Sequence, residues 1–151
     1  MGRSCRQAAV IPYRVHGEQL EIALVRTSSG KGWIVPKGSV DDGEGSCDAA
    51  ARETEEEAGL VGELSRNPIG QYRYSKQNES YEVDVYAMRV TGVLDSWQEA
   101  AHRRRRWMAA KEALERLHPD LHDFVHATVR MAQAKHHRRR SGRRRAVVHH
   151  H

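Results

Sequence analysis

Residues 38–60, GSVDDGEGSCDAAARETEEEAGL, divide into a glycine-rich loop and a helix of unusual charge. As far as Gly45 the stretch is a loop, because glycines and aspartates dominate and no apolar period runs through it. At Ser46 the chemistry changes. Ser46 is the expected N-cap, and Asp48 with Ala49-Ala50-Ala51 supplies a strong helical first turn. Gly59 stops the helix as a C′ residue. Glu53, Glu56 and Glu57 then stand at i, i+3 and i+4, so their carboxylates share one face.

Like charges at that spacing repel by about 0.2–0.5 kcal/mol per pair, and Glu55 adds to the run. A hard divalent cation such as Mg²⁺ resolves the conflict, since it takes carboxylate oxygens and shares its remaining coordination with phosphates. The ordinary meaning of a charge run is a solvated face. The spacing weighs against it. Gly38, then Glu44, then Arg52-Glu53-Thr54-Glu55-Glu56-Glu57-Ala58-Gly59-Leu60 resembles the signature of the Nudix hydrolases at every fixed letter. One position departs: Thr54 stands where that pattern has an apolar residue, and its methyl is expected to pack inward.

The resemblance implies an α/β/α sandwich with a mixed central sheet that carries the loop and helix. It also implies roles. Glu56 is the candidate general base, with Glu53 and Glu57 as metal ligands; Glu56 and the backbone carbonyl of Lys37 complete the set. The implied ion is Mg²⁺, with Mn²⁺ as the alternative. Gly38, Glu44, Arg52 and Gly59 are structural in this scheme, Arg52 and Glu44 bracing the loop against the helix.

A chain of 151 residues is one domain's worth and long enough for a real core. It has no apolar run of membrane length and no charged-then-apolar leader, so it reads as soluble, unexported and cytoplasmic. Cys5 and Cys47 lack metal spacing and read as a reduced pair. The net charge of +5 belongs to the end of the chain. From Lys135 onward there are seven basic residues and no acid, which leaves 18 basic and 20 acidic side chains before it. The expected organisation is therefore a domain over 1–134 and a mobile basic tail over 135–151, with His149–His151 read as the remnant of a purification tag.

Strands are expected at Gln7–Val15, Leu20–Val25, Trp33–Pro36, Gly62–Leu64, Ile69–Tyr74 and Tyr81–Val90, with Pro12 suiting an edge or bulge. Along Tyr81–Val90, Tyr81, Val83, Val85 and Ala87 should share one face and Glu82, Asp84, Tyr86 and Met88 the other. Residues 94–107 read as irregular, followed by a short helix at Ala109–Leu117 and a last helix from Pro119 with a stripe of Leu121, Phe124, Val125, Thr128 and Val129. Tyr72, Tyr74 and Tyr81 are expected to pack on strand faces, and the histidines carry no role.

Beyond the signature, Trp33-Ile34-Val35-Pro36, Val85-Tyr86, Val90-Thr91, Leu94, Trp97, Glu99, the run Arg103–Trp107 and Glu112-Ala113 resemble the diphosphoinositol polyphosphate phosphohydrolase branch, which also cleaves diadenosine polyphosphates. That resemblance spans roughly residues 6–130. It implies Arg6, Lys31, Arg103, Arg104 and Arg105 as phosphate-binding residues, a task suited to the planar guanidinium fork. Lys37-Gly38-Ser39 replaces the three glycines usual in the branch, and Pro36-Lys37-Gly38 instead resembles Nudix enzymes of dinucleoside polyphosphates or RNA 5′ ends. The implied partner is a small-molecule polyphosphate and not a membrane; the basic tail admits nucleic acid as a secondary one. The implied activity is a Mg²⁺-dependent pyrophosphohydrolase of diadenosine or diphosphoinositol polyphosphates. An RNA 5′-end pyrophosphohydrolase and a non-catalytic binding module are the rivals.

Overall fold

Alternating small and aliphatic side chains in β1 (Ser4–His16) let that strand be buried on both faces. Ala9, Ile11 and Tyr13 point into one layer, Ala8 and Val10 into the other. The computed structural model describes residues 4–27, 29–100 and 103–148, so the supposed tag residues His149–His151 lie outside the described part. β1 runs parallel to β7 (Glu79–Val93) from Ser4↔Ser80 to Tyr13↔Arg89. It turns through Gly17, at φ 66°, into antiparallel β2 (Gln19–Arg26).

The sheet order is β3 (Trp33–Ile34), β2, β1, β7, β5 (Leu60–Leu64). Three further strands branch from it: β4 (Lys37–Ser39) on β1, β6 (Gly70–Lys76) on β7, and β8 (Arg105–Ala109) on β2. Helix α1 (Ser46–Ala58) covers one face, packing Ala49 and Ala50 on Ala8, Val10, Tyr86 and Met88. α2 (Ala110–Arg116) and α3 (His122–Val148), joined by a 3-10 turn at Pro119–Leu121, cover the other with Ala113, Val125 and Ala132. The expected sandwich and the expected two faces of β7 are both present.

Several local expectations fail for long-range reasons. Pro12 is buried in a central strand and not at an edge. The N–H of Val10 donates to the Pro36 carbonyl, so two residues on the missing N–H of Pro12 faces the same side. There it falls between the β4 partners (7–9) and the β2 partners (13–16), where no ladder bond is lost. Residues 37–39, read locally as strand end and loop, form β4 because Ala9↔Lys37, Ala8↔Gly38 and Gln7↔Ser39 pair across the chain. The arginine run is not irregular either: from Arg105 it is strand β8, pairing with β2 from Val25↔Arg105 to Glu21↔Ala109.

At the start of α1 the N-cap is Gly45, not Ser46. The Ser46 hydroxyl instead shares a hydrogen bond of 2.6 Å with the Tyr86 hydroxyl, fastening the helix to β7. At the other end, α3 crosses the 134/135 boundary without interruption, so the backbone of the tail is helical to Val148. Ala132 is the last buried residue among those whose side chains are described. No helix among the described residues is long and apolar enough to cross a membrane, and Cys5 and Cys47 are both free thiols.

Candidate active site

Helix α1 places its glutamates because its opposite side is packed. Thr54 is fully buried and donates its hydroxyl to the Ala50 carbonyl at 2.7 Å, which lets a polar residue occupy an apolar place. Gly59 takes φ 63° and returns its N–H to the Glu55 carbonyl at 2.9 Å, ending the helix as expected.

Arg52 ties the loop to the helix. Its guanidinium donates to both Glu44 oxygens at 3.0 Å each, to Glu53 Oε1 at 2.9 Å, to Glu56 Oε2 at 3.4 Å and to the Ser39 carbonyl at 3.0 Å. Those bonds, and after them the Asp41 amide, hold the Glu44 carboxyl below the usual carboxylate range. Glu53 is raised by burial, with Arg52 pulling the other way.

Gly38 explains the close approach of β4 to α1. A Cβ at that position would fall on the Glu53 carboxylate. Gly38→Ala is therefore expected to push Glu53 aside and lower kcat by about a hundredfold, with little loss of melting temperature. Steady-state kinetics beside a thermal melt tests this, and near wild-type turnover would make the placement of Glu53 immaterial.

Glu57 is the most buried member of the face. Its Oε2 accepts the Lys37 backbone N–H at 2.8 Å, and Arg103 Nη2 stands 4.0 Å from its Oε1. Burial pushes its carboxyl up to about 7; the Lys37 amide and Arg103 oppose the rise, while Glu53 and Glu99 reinforce it. Lys37 thus contributes its amide to the site, while its ammonium donates to the Tyr74 hydroxyl at 3.1 Å and lies 4.4 Å from that ring's centre.

Residues 94–100 and 103–105 lie against the C-terminal end of α1 and satisfy its last carbonyls one after another. The Glu99 amide donates to Glu56 O at 3.0 Å, the Trp97 indole to Glu57 O at 3.0 Å, and the Leu94 amide to Gly59 O at 2.8 Å. Arg105 Nη1 donates to Ala58 O at 2.7 Å, Gly59 O at 3.2 Å and Leu94 O at 3.1 Å, with its guanidinium 4.3 Å from the Trp97 ring centre. Backbone groups that a helix end leaves orphaned are here closed by one segment.

This geometry divides the arginine run. Arg103 and Glu99 form a pair at 2.9 Å beside Glu57, inside the cluster. Arg104 is exposed, and Lys31 is exposed on the loop between β2 and β3. Arg6 pairs with Asp84 at 3.2 Å and lines, with Cys5 and residues 39–44, a cleft of about 450 Å³ beside the signature loop. Arg105 turns both terminal nitrogens to carbonyls at the helix end, so in this structure its guanidinium is engaged as a brace. Glu99 and Trp97 belonged to the sequence pattern without a role, and only their bonds to the Glu56 and Glu57 carbonyls show what they touch. The tyrosines stack on strand faces as expected, Tyr74 and Tyr81 at 4.7 Å.

A NUDIX domain profile matches residues 4–128. Nudix hydrolase 4 of Arabidopsis thaliana is 36% identical over 115 residues, covering 70% of this chain and 55% of that protein. Diphosphoinositol polyphosphate phosphohydrolase 2 of Rattus norvegicus is 35% identical over 125 residues, 81% of this chain and 66% of the relative. A solved C. elegans Ap4A hydrolase binary complex superposes with a TM-score of 0.70 at 20% identity, covering 86% of this chain and 98% of that one, which is a likeness of fold. The chain spans about half the length of the plant relatives it matches. With the signature residues gathered on one loop and one helix and the profile matched across the domain, the chain belongs to the Nudix hydrolase family.

Proposed function

We propose that the chain is a metal-dependent pyrophosphohydrolase for long, highly charged polyphosphates, either diadenosine polyphosphates or diphosphoinositol polyphosphates. The observation that carries this is the buried Glu57 carboxylate held between the Lys37 amide and Arg103, with Glu53 pressed against Gly38 beside it. The donors are all oxygen, which suits Mg²⁺, or Mn²⁺ as the alternative, over a thiophilic ion. Glu53, Glu56, Glu57 and the Lys37 carbonyl are the residues that would hold it. Among the described residues no group of three or more acidic, histidine or cysteine side chains is placed to hold a metal ion by itself. Mg²⁺ is ordinarily held by one or two carboxylates and completes its shell with water and substrate phosphate, so an open face fits.

When bound, the ion neutralises phosphate oxygens and activates water. The residues of the chain do the rest. Lys37 N–H aims Glu57, and Arg52 spans Glu53 and Glu56 so that neither drifts from the face. Glu56 is the candidate base: as the water oxygen bonds to phosphorus, Glu56 takes its proton and the bond from phosphorus to the bridging oxygen breaks. Arg103 reaches from beside Glu57 to phosphates farther along than the cleaved bond, and Arg6, Arg104 and Lys31 supply further positive charge around them.

A panel of diadenosine polyphosphates, diphosphoinositol polyphosphates and a 5′-triphosphorylated RNA, each with Mg²⁺ and product chromatography, tests the substrate. Release of pyrophosphate from the RNA alone would install the RNA-end reading that Pro36-Lys37-Gly38 favours. Arg103→Ala is expected to lower kcat/KM about 10- to 100-fold on substrates of five or six phosphates, the loss of one charge-assisted contact. On two or three phosphates the loss should be several times smaller. Equal loss at every length would confine Arg103 to supporting Glu57.

A further inference from the structure

We propose that the basic C-terminal part of α3 is a docking helix for the phosphate backbone of nucleic acid, separate from the hydrolytic face. Among the residues of α3 whose side chains are described, the last buried one is Ala132, and the helical backbone continues to Val148. Residues 135–148 hold Lys135, Arg138, Arg139, Arg140, Arg143, Arg144 and Arg145 without one acid, while the preceding 134 residues are slightly acidic. The charge is therefore concentrated at the end of one helix whose earlier residues Val125 and Ala132 are packed in the core. Fourteen residues of helix extend about 21 Å, and duplex DNA presents one charge per about 1.7 Å. Seven cations thus meet about a dozen phosphates.

The spacing of the arginines favours such a partner. Arg139 and Arg143, and Arg140 and Arg144, are i, i+4 pairs of like charge, which oppose a helix in isolation and cease to do so beside a polyanion. A membrane surface is the weaker occupant. An interfacial helix needs a broad apolar face with Trp, Phe or Leu, and this segment has only the consecutive Ala146, Val147 and Val148.

The test uses the full chain and a full-length Arg139/Arg140/Arg143/Arg144→Gln variant, which leaves the core residues of α3, Val125 and Ala132, unchanged. The probe is a fluorescent 5′-hydroxyl oligonucleotide of about 20 nucleotides, which offers the hydrolytic site no anhydride. Anisotropy between about 50 and 200 mM KCl should give a log–log salt slope near −5 for seven contacts to a single strand. The variant should bind at least about tenfold more weakly at low salt, with the slope shallower by about 3. Its hydrolysis of small polyphosphates should stay within a factor of about two. The oligonucleotide should also raise the helical circular dichroism of the wild type and not of the variant. Equal affinity and slope in both proteins would overturn the proposal. So would tighter binding to phosphatidylserine vesicles than to the oligonucleotide. Because the probe cannot be hydrolysed, this docking and the hydrolytic reading can fail independently.

Discussion

Glu57→Gln is expected to lower kcat by about a thousandfold and, without metal, to melt higher than the wild type at about pH 8. The kinetic loss corresponds to about 4 kcal/mol of charge stabilisation removed from the transition state. The thermal gain follows from proton linkage. In the fold the Glu57 carboxyl is held up at about 7, against 4.5 when exposed. The folded chain therefore keeps a proton that the unfolded chain gives up between those values, and the stability contributed by Glu57 falls as pH rises through the window. Glutamine carries no charge and still accepts the Lys37 N–H, so it avoids that loss. The gap in melting temperature should be several degrees at about pH 8 and close towards about pH 5. Mg²⁺ at about a hundred times its Kd should then add about 2.7 kcal/mol to the wild type. For a domain of this size that is about 5–10 °C, and the variant should gain little of it. Equal Mg²⁺ stabilisation of the two proteins, or a gap independent of pH, would remove Glu57 from the metal face.

Arg105→Ala is the second large effect, and it is one of stability first. The substitution leaves the carbonyls of Ala58, Gly59 and Leu94 without their guanidinium donor and strips the cation from the Trp97 ring. Hydrogen bonds to a charged group in a half-buried place are worth about 1.5–3 kcal/mol, and stranded carbonyls add to that. A loss of about 2–4 kcal/mol, or about 5–15 °C, is expected in a thermal melt. Arg105→Lys should recover less than half, since a compact ammonium lacks the planar fork that spreads over these carbonyls and stacks on the Trp97 ring. Turnover should fall by the same factor for every polyphosphate length, because the damage passes through the end of α1 to Glu57 and not through a phosphate contact. Arg103→Ala is the contrast, with its loss growing with phosphate number. A length-dependent loss in Arg105→Ala with an unchanged melting temperature would return Arg105 to the substrate.

The glutamate helix was legible because everything that makes it is local. Three glutamates at i, i+3 and i+4 share a face wherever the helix sits, and Gly59 can take a positive φ whatever surrounds it. The brace of Arg52 on Glu44 is nearly local too, spanning eight residues between loop and helix. The faces of β7 followed from alternation alone. Arg103 and Arg105 show where this stops. Both are arginines two residues apart on one run, and a side chain of that length can reach solvent, a carboxylate or a carbonyl with equal ease. Only the pairing of β8 with β2 and the docking of residues 94–100 on the end of α1 put one beside Glu57 and the other under Trp97. Likewise, Gly38 and Lys37 lie in a strand because Ala8 and Ala9, almost thirty residues earlier, offer a free ladder edge. Neighbouring residues determine the local helix and its charged face; which partner each long side chain or free backbone edge finds is settled by contacts distant in sequence, and those exist only once the sheet has closed.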